Sequence, residues 1–141
     1  MIKQAITDQD IEDCFDVIAE LRPHLKKSEF LATVRSMEKE GYKLAFIKAN
    51  DKVVAVAGYR LYSNLFMGKN LYIDDLVTSN RFRSKGYGAE LLHWLREEAT
   101  RSGCNFYHLD SGTHRGKAHK FYFQHGFTIA SYHFSEKLTE S

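Results

Sequence analysis

The spacing of apolar residues along this 141-residue chain predicts a single α/β domain, residues 1–141. Three observations lead there. Helical spacing dominates the first forty residues, runs of β-formers follow, and the later part alternates strand, helix and strand. A chain of this length buries roughly 68–70% of its unfolded surface, which suits one core and not two. Its 43% hydrophobic and 27% charged fractions are those of a globular chain and argue against intrinsic disorder.

Taken in order, residues 3–6 read as a short first strand. Thr7 and Asp10 form a capping-box-like start to a helix that carries Ile11, Phe15, Ile18 and Leu21 up to Pro23. A second helix begins near Ser28, turns Phe30, Val34 and Met37 to one face, and stops at Gly41. Residues 42–49 and 53–61 flank Asn50-Asp51 and read as a hairpin. After a loop around Gly68, residues 71–78 (LYIDDLVT) form another strand. A long helix runs from about Gly86 to Ser102, with Leu91, Leu92, Leu95 and Ala99 as its apolar stripe and Gly103 at its end. Residues 105–110 read as a strand, 117–124 as a short helix and 127–134 as a last strand, giving the order β-α-α-β-β-β-α-β-α-β.

Several function classes drop out at this stage. No stretch approaches the ~18 consecutive apolar residues of a membrane span, and the N-terminus lacks the apolar segment of a signal peptide. Cys14 and Cys104 form no CxxC pair, which argues against a disulfide framework or zinc site and suits a reducing, cytoplasmic setting. His114, His119 and His125 match no metal-site spacing, so no metal is expected. The net charge is +2, but it is unevenly spread: residues 1–40 carry −3 and residues 81–120 carry +4. No nucleic-acid recognition motif accompanies the basic block, so nucleic acid is not expected as a partner.

That block centres on 83–88 (RSKGYG), a basic loop that follows a strand and opens a helix. Amides at a helix N-terminus lack intrahelical partners, and glycines let the backbone approach an anion closely. Arg81, Arg83 and Lys85 add formal charge. Neither the P-loop spacing nor the three-glycine dinucleotide fingerprint fits, so the loop reads as an anion site of another kind.

R-x-x-G-x-G at 83–88, between a strand and a Leu-rich helix, resembles motif A of the GNAT superfamily of N-acetyltransferases. Residues 118–127 (AHKFYFQHGF) resemble that family's A-x-x-[FL]-Y-x-x-x-G-F signature, about 30 residues downstream, and the element order agrees. The resemblance implies a mixed central sheet of six or seven strands with about four helices. It also implies acetyl-CoA as co-substrate in a splay between the fourth and fifth strands. The pyrophosphate would lie on amides of Ser84, Lys85, Gly86, Tyr87, Gly88 and Ala89 beside Arg83, and the pantetheine along Leu76, Val77 and Thr78. Ser111, Ala118 and Phe121 would complete the cofactor contacts, with Arg115 standing where many members carry Asn.

Acetyl transfer to an amine requires that an ammonium of pKa near ~10.4 lose a proton, that a donor meet the oxyanion, and that an acid serve the thiolate. In the resemblance Tyr122 takes the acid's position and Asp74 falls where bases on this strand occur. Strand alternation places Tyr72, Asp74, Leu76 and Thr78 on one face and Ile73, Asp75 and Val77 on the other. Adjacent carboxylates in an apolar strand need structural partners, water or a function, because an unpaired buried charge is costly. Asp75 is a second candidate, as a contact for a cationic acceptor, and His108 an outside candidate for the base. The expected activity is direct transfer to a primary amine of a small molecule, with a protein amine and a homodimer left open. The competing reading is a GNAT-fold module that binds acyl-CoA without catalysis.

Overall fold

Behind β1 (Ile2–Gln4), the expected capping box is present. Thr7 Oγ1 accepts from the Asp10 N–H at 3.0 Å, and Asp10 Oδ2 accepts from the Thr7 N–H at 3.4 Å. The computed structural model describes residues 1–140. The first expected helix is divided into α1 (Asp8–Asp13) and α2 (Phe15–Leu21), followed by α3 (Lys27–Glu38). The break falls at Cys14, whose N–H bonds Ile11 O at 3.0 Å in a tightened turn while its own carbonyl accepts from Ile18. Cys14 is fully buried, so the kink faces the core. With α4 (Tyr87–Arg101) and α5 (Gly116–Gln124), the helices number five among the described residues, one more than expected.

The β-rich middle folds as a meander. β2 (Tyr42–Ala49) and β3 (Lys52–Asn64) join through Asn50 and Asp51, at φ 52° and 63°, the paired left-handed conformation that matches the twist of a two-residue hairpin. β4 (Gly68–Thr78) pairs antiparallel with β3 and parallel with β5 (Phe106–Leu109), so the sheet order is β1-β2-β3-β4-β5. One face packs on Ile11, Val17, Ile18, Phe30 and Val34 through Leu44, Phe46, Val56 and Val77. The other receives the crossover helix α4, whose Leu91, Leu92, Leu95 and Ala99 are buried and whose Trp94 meets the Tyr59 ring edge-on at 5.8 Å. No helix among the described residues is long and apolar enough to cross a membrane.

Among the described residues the sheet has five strands, not the six or seven expected. Residues 127–134 carry no ladder. The chain forms two compact units, Met1–Leu109 and residues 110 onward. A strand exists only through a hydrogen-bonded neighbour, and among its described residues the second unit holds α5 and no strand with which 127–134 could pair.

One irregularity in β4 sets the phase of its side chains. Gly58 faces Asp75 and Tyr59 faces Ile73, so Asp74 is an extra residue bulged out of the ladder. Beyond it the alternation reverses. Asp75 and Val77, not Leu76 and Thr78, share a face with Tyr72. The expected division of Asp74 and Asp75 onto opposite faces is therefore corrected: both carboxylates reach side chains on the α2 face.

Gly58 makes room for this arrangement. A Cβ there would collide with Tyr42 Oη and lie 2.6 Å from Asp75 Oδ2. Gly58→Ala is expected to displace the Tyr42–Asp75 pair and cost about 1–3 kcal/mol of stability, read by urea denaturation against the wild-type chain.

Candidate active site

A short loop with two left-handed residues leads into α4 at the place where the sequence puts the expected anion loop. A 3-10 turn, Asn80–Phe82, leads from β4 into Ser84 at φ 67° and Gly86 at φ 84°. Nothing lies within 4 Å of a Cβ built on Gly86, so glycine is favoured there by backbone conformation and not by space. Gly86 is the N-cap of α4 and brings no side-chain bond to the helix start. The Glu90 N–H closes the first turn on Gly86 O at 3.0 Å, leaving the amides of Tyr87, Gly88 and Ala89 ahead of that turn, at the positive end of the helix dipole.

Beside this helix start, β4 outruns its neighbour. The β4–β5 ladder runs from Asn70 opposite Phe106 to Ile73 opposite Leu109 and ends immediately before the bulge. Asp75 through Thr78, which include Leu76, Val77 and Thr78, have β3 as their ladder partner and no β5 residue opposite, and the bulged Asp74 has neither. The strand thus offers main-chain donors and acceptors toward the β5 side, as a parting of two parallel strands requires.

The two carboxylates are held differently. Both Asp74 oxygens accept from Arg60, Oδ2 from Nε at 2.9 Å and Oδ1 from Nη2 at 3.0 Å. That pair holds the Arg60 guanidinium above its ordinary value. Asp75 Oδ1 accepts from Arg22 Nε at 3.1 Å and Oδ2 from Tyr42 Oη at 2.7 Å. Burial first, then the Asp75 charge and hydrogen bond, push the Tyr42 phenol well above its ordinary value, so it stays a donor. Arg22 also donates from Nη2 to the main-chain O of Asp74 at 3.0 Å, bracing the bulge itself.

In the second unit, Tyr122 lies on α5 with its ring edge-on to Phe121 and Phe127 at 5.5 and 5.8 Å. Burial raises its phenol above the ordinary value, opposed by the Arg115 charge, so it is protonated at neutral pH. Ala118 and Phe121 lie on the same helix, and the Ser111 Oγ is buried without a hydrogen-bond partner among the described residues. An orphaned hydroxyl is the kind of atom a ligand completes. His119 Nε2 donates to Gly112 O at 2.7 Å and His125 packs on Phe121 at 4.5 Å. His108 Nε2 meets Asn70 Oδ1, an acceptor, at 2.7 Å and so carries its proton there. Burial, then Asp13 and Asp10, pushes the Cys14 thiol up to about 12, leaving no thiolate at neutral pH.

Arg22, Arg60, Tyr42 and Glu20 escaped the sequence reading. Glu20 on α2 accepts from Ser79 Oγ at 2.9 Å and from the Asn80 N–H at 2.8 Å, fixing the turn that enters the anion loop. Their partners lie up to 60 residues away, and no local spacing reports such contacts. Gly58 was the one available signal, since an isolated glycine inside a β-rich run marks a bulge or a close approach.

The comparisons with known proteins bear on the family and the fold. The model of the acetyltransferase (GNAT) family matches residues 7–127. The uncharacterized N-acetyltransferase YhdJ of Bacillus subtilis is 35% identical over 139 residues, covering 97% of this chain and 98% of that protein. The aminoalkylphosphonate N-acetyltransferase of Salmonella typhimurium is 29% identical over 98 residues, 69% of this chain and 62% of that one. In fold, the chain resembles the aminoglycoside N-acetyltransferase AAC(6')-Iy in complex with CoA, with a TM-score of 0.84 at 16% identity over 99% of this chain and 95% of that chain. By the family match and the full-length relative, this chain belongs to the acetyltransferase (GNAT) family and is an acyltransferase.

Proposed function

We propose that this chain, acting as one domain over residues 1–141, is a cytoplasmic acetyl-CoA-dependent N-acetyltransferase. It moves the acetyl group directly to a primary amine of a small molecule in a ternary complex. The observation that carries this reading is β4 continuing past its last β5 partner beside an uncapped helix start. Acetyl-CoA, when bound, supplies an activated acetyl thioester. The main chain of Leu76, Val77 and Thr78 would hold the pantetheine. The amides from Ser84 to Ala89, with Arg83 and Lys85, would hold the phosphates. Ser111, Ala118 and Phe121 would supply the remaining contacts, the orphaned Ser111 hydroxyl among them. Relatives named for acting on aminoalkylphosphonates and on aminoglycosides support an amine acceptor.

In this reading Tyr122 is the acid that protonates the leaving thiolate, and its raised phenol pKa keeps the proton available. Asp74 takes the proton of the acceptor ammonium. Asp75, held by Arg22 and Tyr42, positions Asp74 through the bridging Arg22. A main-chain N–H in the stretch without a β5 partner meets the oxygen that gains charge. With Cys14 kept as a neutral thiol, direct transfer is favoured over an acyl-enzyme.

Titration calorimetry is expected to show acetyl-CoA binding, weakened about tenfold by Gly86→Ala, because a side chain at φ 84° costs roughly 1–2 kcal/mol or shifts the helix start. No binding to the wild-type chain would end this reading. Tyr122→Phe is expected to lower kcat by about 10²-fold. Deprotonating the acid removes activity as pH rises through its pKa, so the wild-type decline should lie above the ordinary tyrosine value of 10.0 and disappear in Tyr122→Phe. Asp74→Asn is expected to lower kcat by about 10²-fold, with part of the loss recovered as rising pH deprotonates the amine in solution; a variant with wild-type kcat would remove Asp74 as the base.

A further inference from the structure

Two ion pairs stand on the α2 face of β4. Arg60 pairs with Asp74 at 2.9 Å and Arg22 with Asp75 at 3.1 Å. Two cations and two anions cancel, so the face holds no excess of negative charge to draw in a polycation. It presents two guanidiniums that would repel one.

The guanidiniums differ in what they leave free. Guanidinium carries five N–H donors. Arg60 commits Nε and one N–H of Nη2 to Asp74, in a side-on pair. Its opposite edge, made by Nη1 and the second N–H of Nη2, is the end-on fork that fits two oxygens of a carboxylate, phosphonate or phosphate. The plane of that fork is fixed three ways: by the bidentate bond, by the Tyr62 ring at 5.8 Å and by the Tyr72 ring at 5.4 Å. The side chain is 39% exposed, enough for a ligand to reach it. Arg22 commits Nε to Asp75 and Nη2 to the Asp74 carbonyl, ties α2 to the strand, and has no aromatic ring to fix its plane among the described residues.

We propose that the acceptor is a zwitterion, a primary amine bearing an acidic group that Arg60 grips end-on while the ammonium lies against Asp74. This rests on the transferase reading and makes Arg60 the residue that selects the acceptor. Hydrogen bonds of ~2.9 Å on either side of a guanidinium put the acid group roughly 6–7 Å from the Asp74 oxygens, a gap suited to a spacer of about two or three carbons. An acceptor with both charges meets an opposite charge at each end. A monoamine leaves the fork unused, and a diamine sets a second cation against it.

The test is a thiol-release assay with acetyl-CoA and four amines of similar length: β-alanine, 2-aminoethylphosphonate, n-propylamine and 1,3-diaminopropane. The acid-bearing pair is expected to exceed the other two in kcat/KM by about 10–100-fold, the range of one charge-assisted contact. In Arg60→Gln that ratio should fall to within about threefold, through KM more than kcat, and Arg60→Lys should restore part of it. The wild-type panel stands on its own if a variant folds poorly by circular dichroism. Preference for propylamine or the diamine, or a folded Arg60→Gln that keeps the wild-type ratio, overturns the zwitterion assignment and leaves the transferase reading intact. Absence of turnover with all four amines also overturns it, and acetyl-CoA binding by the same protein then reports separately on the transferase reading.

Discussion

A single extra residue in β4 decides where the charges of this fold can go. With a regular ladder, Asp74 and Asp75 would point to opposite faces, and one would enter the face that receives Leu91 and Leu95 of α4. An unpaired carboxylate among leucines costs several kcal/mol or gives up its charge. The bulge opposite Gly58 and Tyr59 removes the conflict by aiming both carboxylates at the α2 face. It also coincides with the end of the β4–β5 ladder at Ile73. Bulges characteristically re-aim side chains and terminate pairing, and here one does both at the same point in the chain.

The end of α2 depends on that bulge and ties it to the anion loop. Glu20 holds Ser79 and Asn80, where β4 gives way to the loop, while Arg22, two residues on, holds Asp75 and the Asp74 carbonyl. These bonds are part-exposed, and salt screening makes their net contribution to stability modest. Their larger effect is geometric. Shifting α2 would move the strand's carboxylates and the entrance to the loop together, so the acceptor-side helix and the proposed phosphate site share one support.

What could be read from the sequence follows the range of the interactions. Thr7 and Asp10 lie three residues apart, Asn50 and Asp51 are adjacent, and RSKGYG contains its own glycines; each structure forms where its pattern points. The break at Cys14 is a single tightened turn inside a continuous apolar stripe, and periodicity cannot register it. The bulge was missed for a related reason. Strand alternation assumes an uninterrupted ladder, and the residue that makes the interruption possible, Gly58, sits on the neighbouring strand. Residues 127–134 have the composition of a strand, but composition supplies no partner. The Arg60–Asp74 and Arg22–Asp75 pairs join residues 14 and 53 apart and leave no local mark at all.

Block charge is therefore a poor guide to the acceptor, and local compensation is a better one. Residues 1–40 carry −3, which on its own suggests a cationic ligand. Much of that acidity is already engaged: Asp8 and Glu38 bind Arg35, Asp13 meets Lys48, and Glu20 serves Ser79 and Asn80. The block's contribution beside the carboxylates of β4 is a cation, Arg22. The basic block behaves in the opposite way. Among the described residues Arg81, Arg83 and Lys85 form no ion pair, so their charge remains available to an external anion. An uncompensated positive loop and a compensated group of two ion pairs call for different ligands. The first suits the phosphates of a nucleotide-bearing co-substrate, and the second suits a small molecule that carries both signs of charge itself.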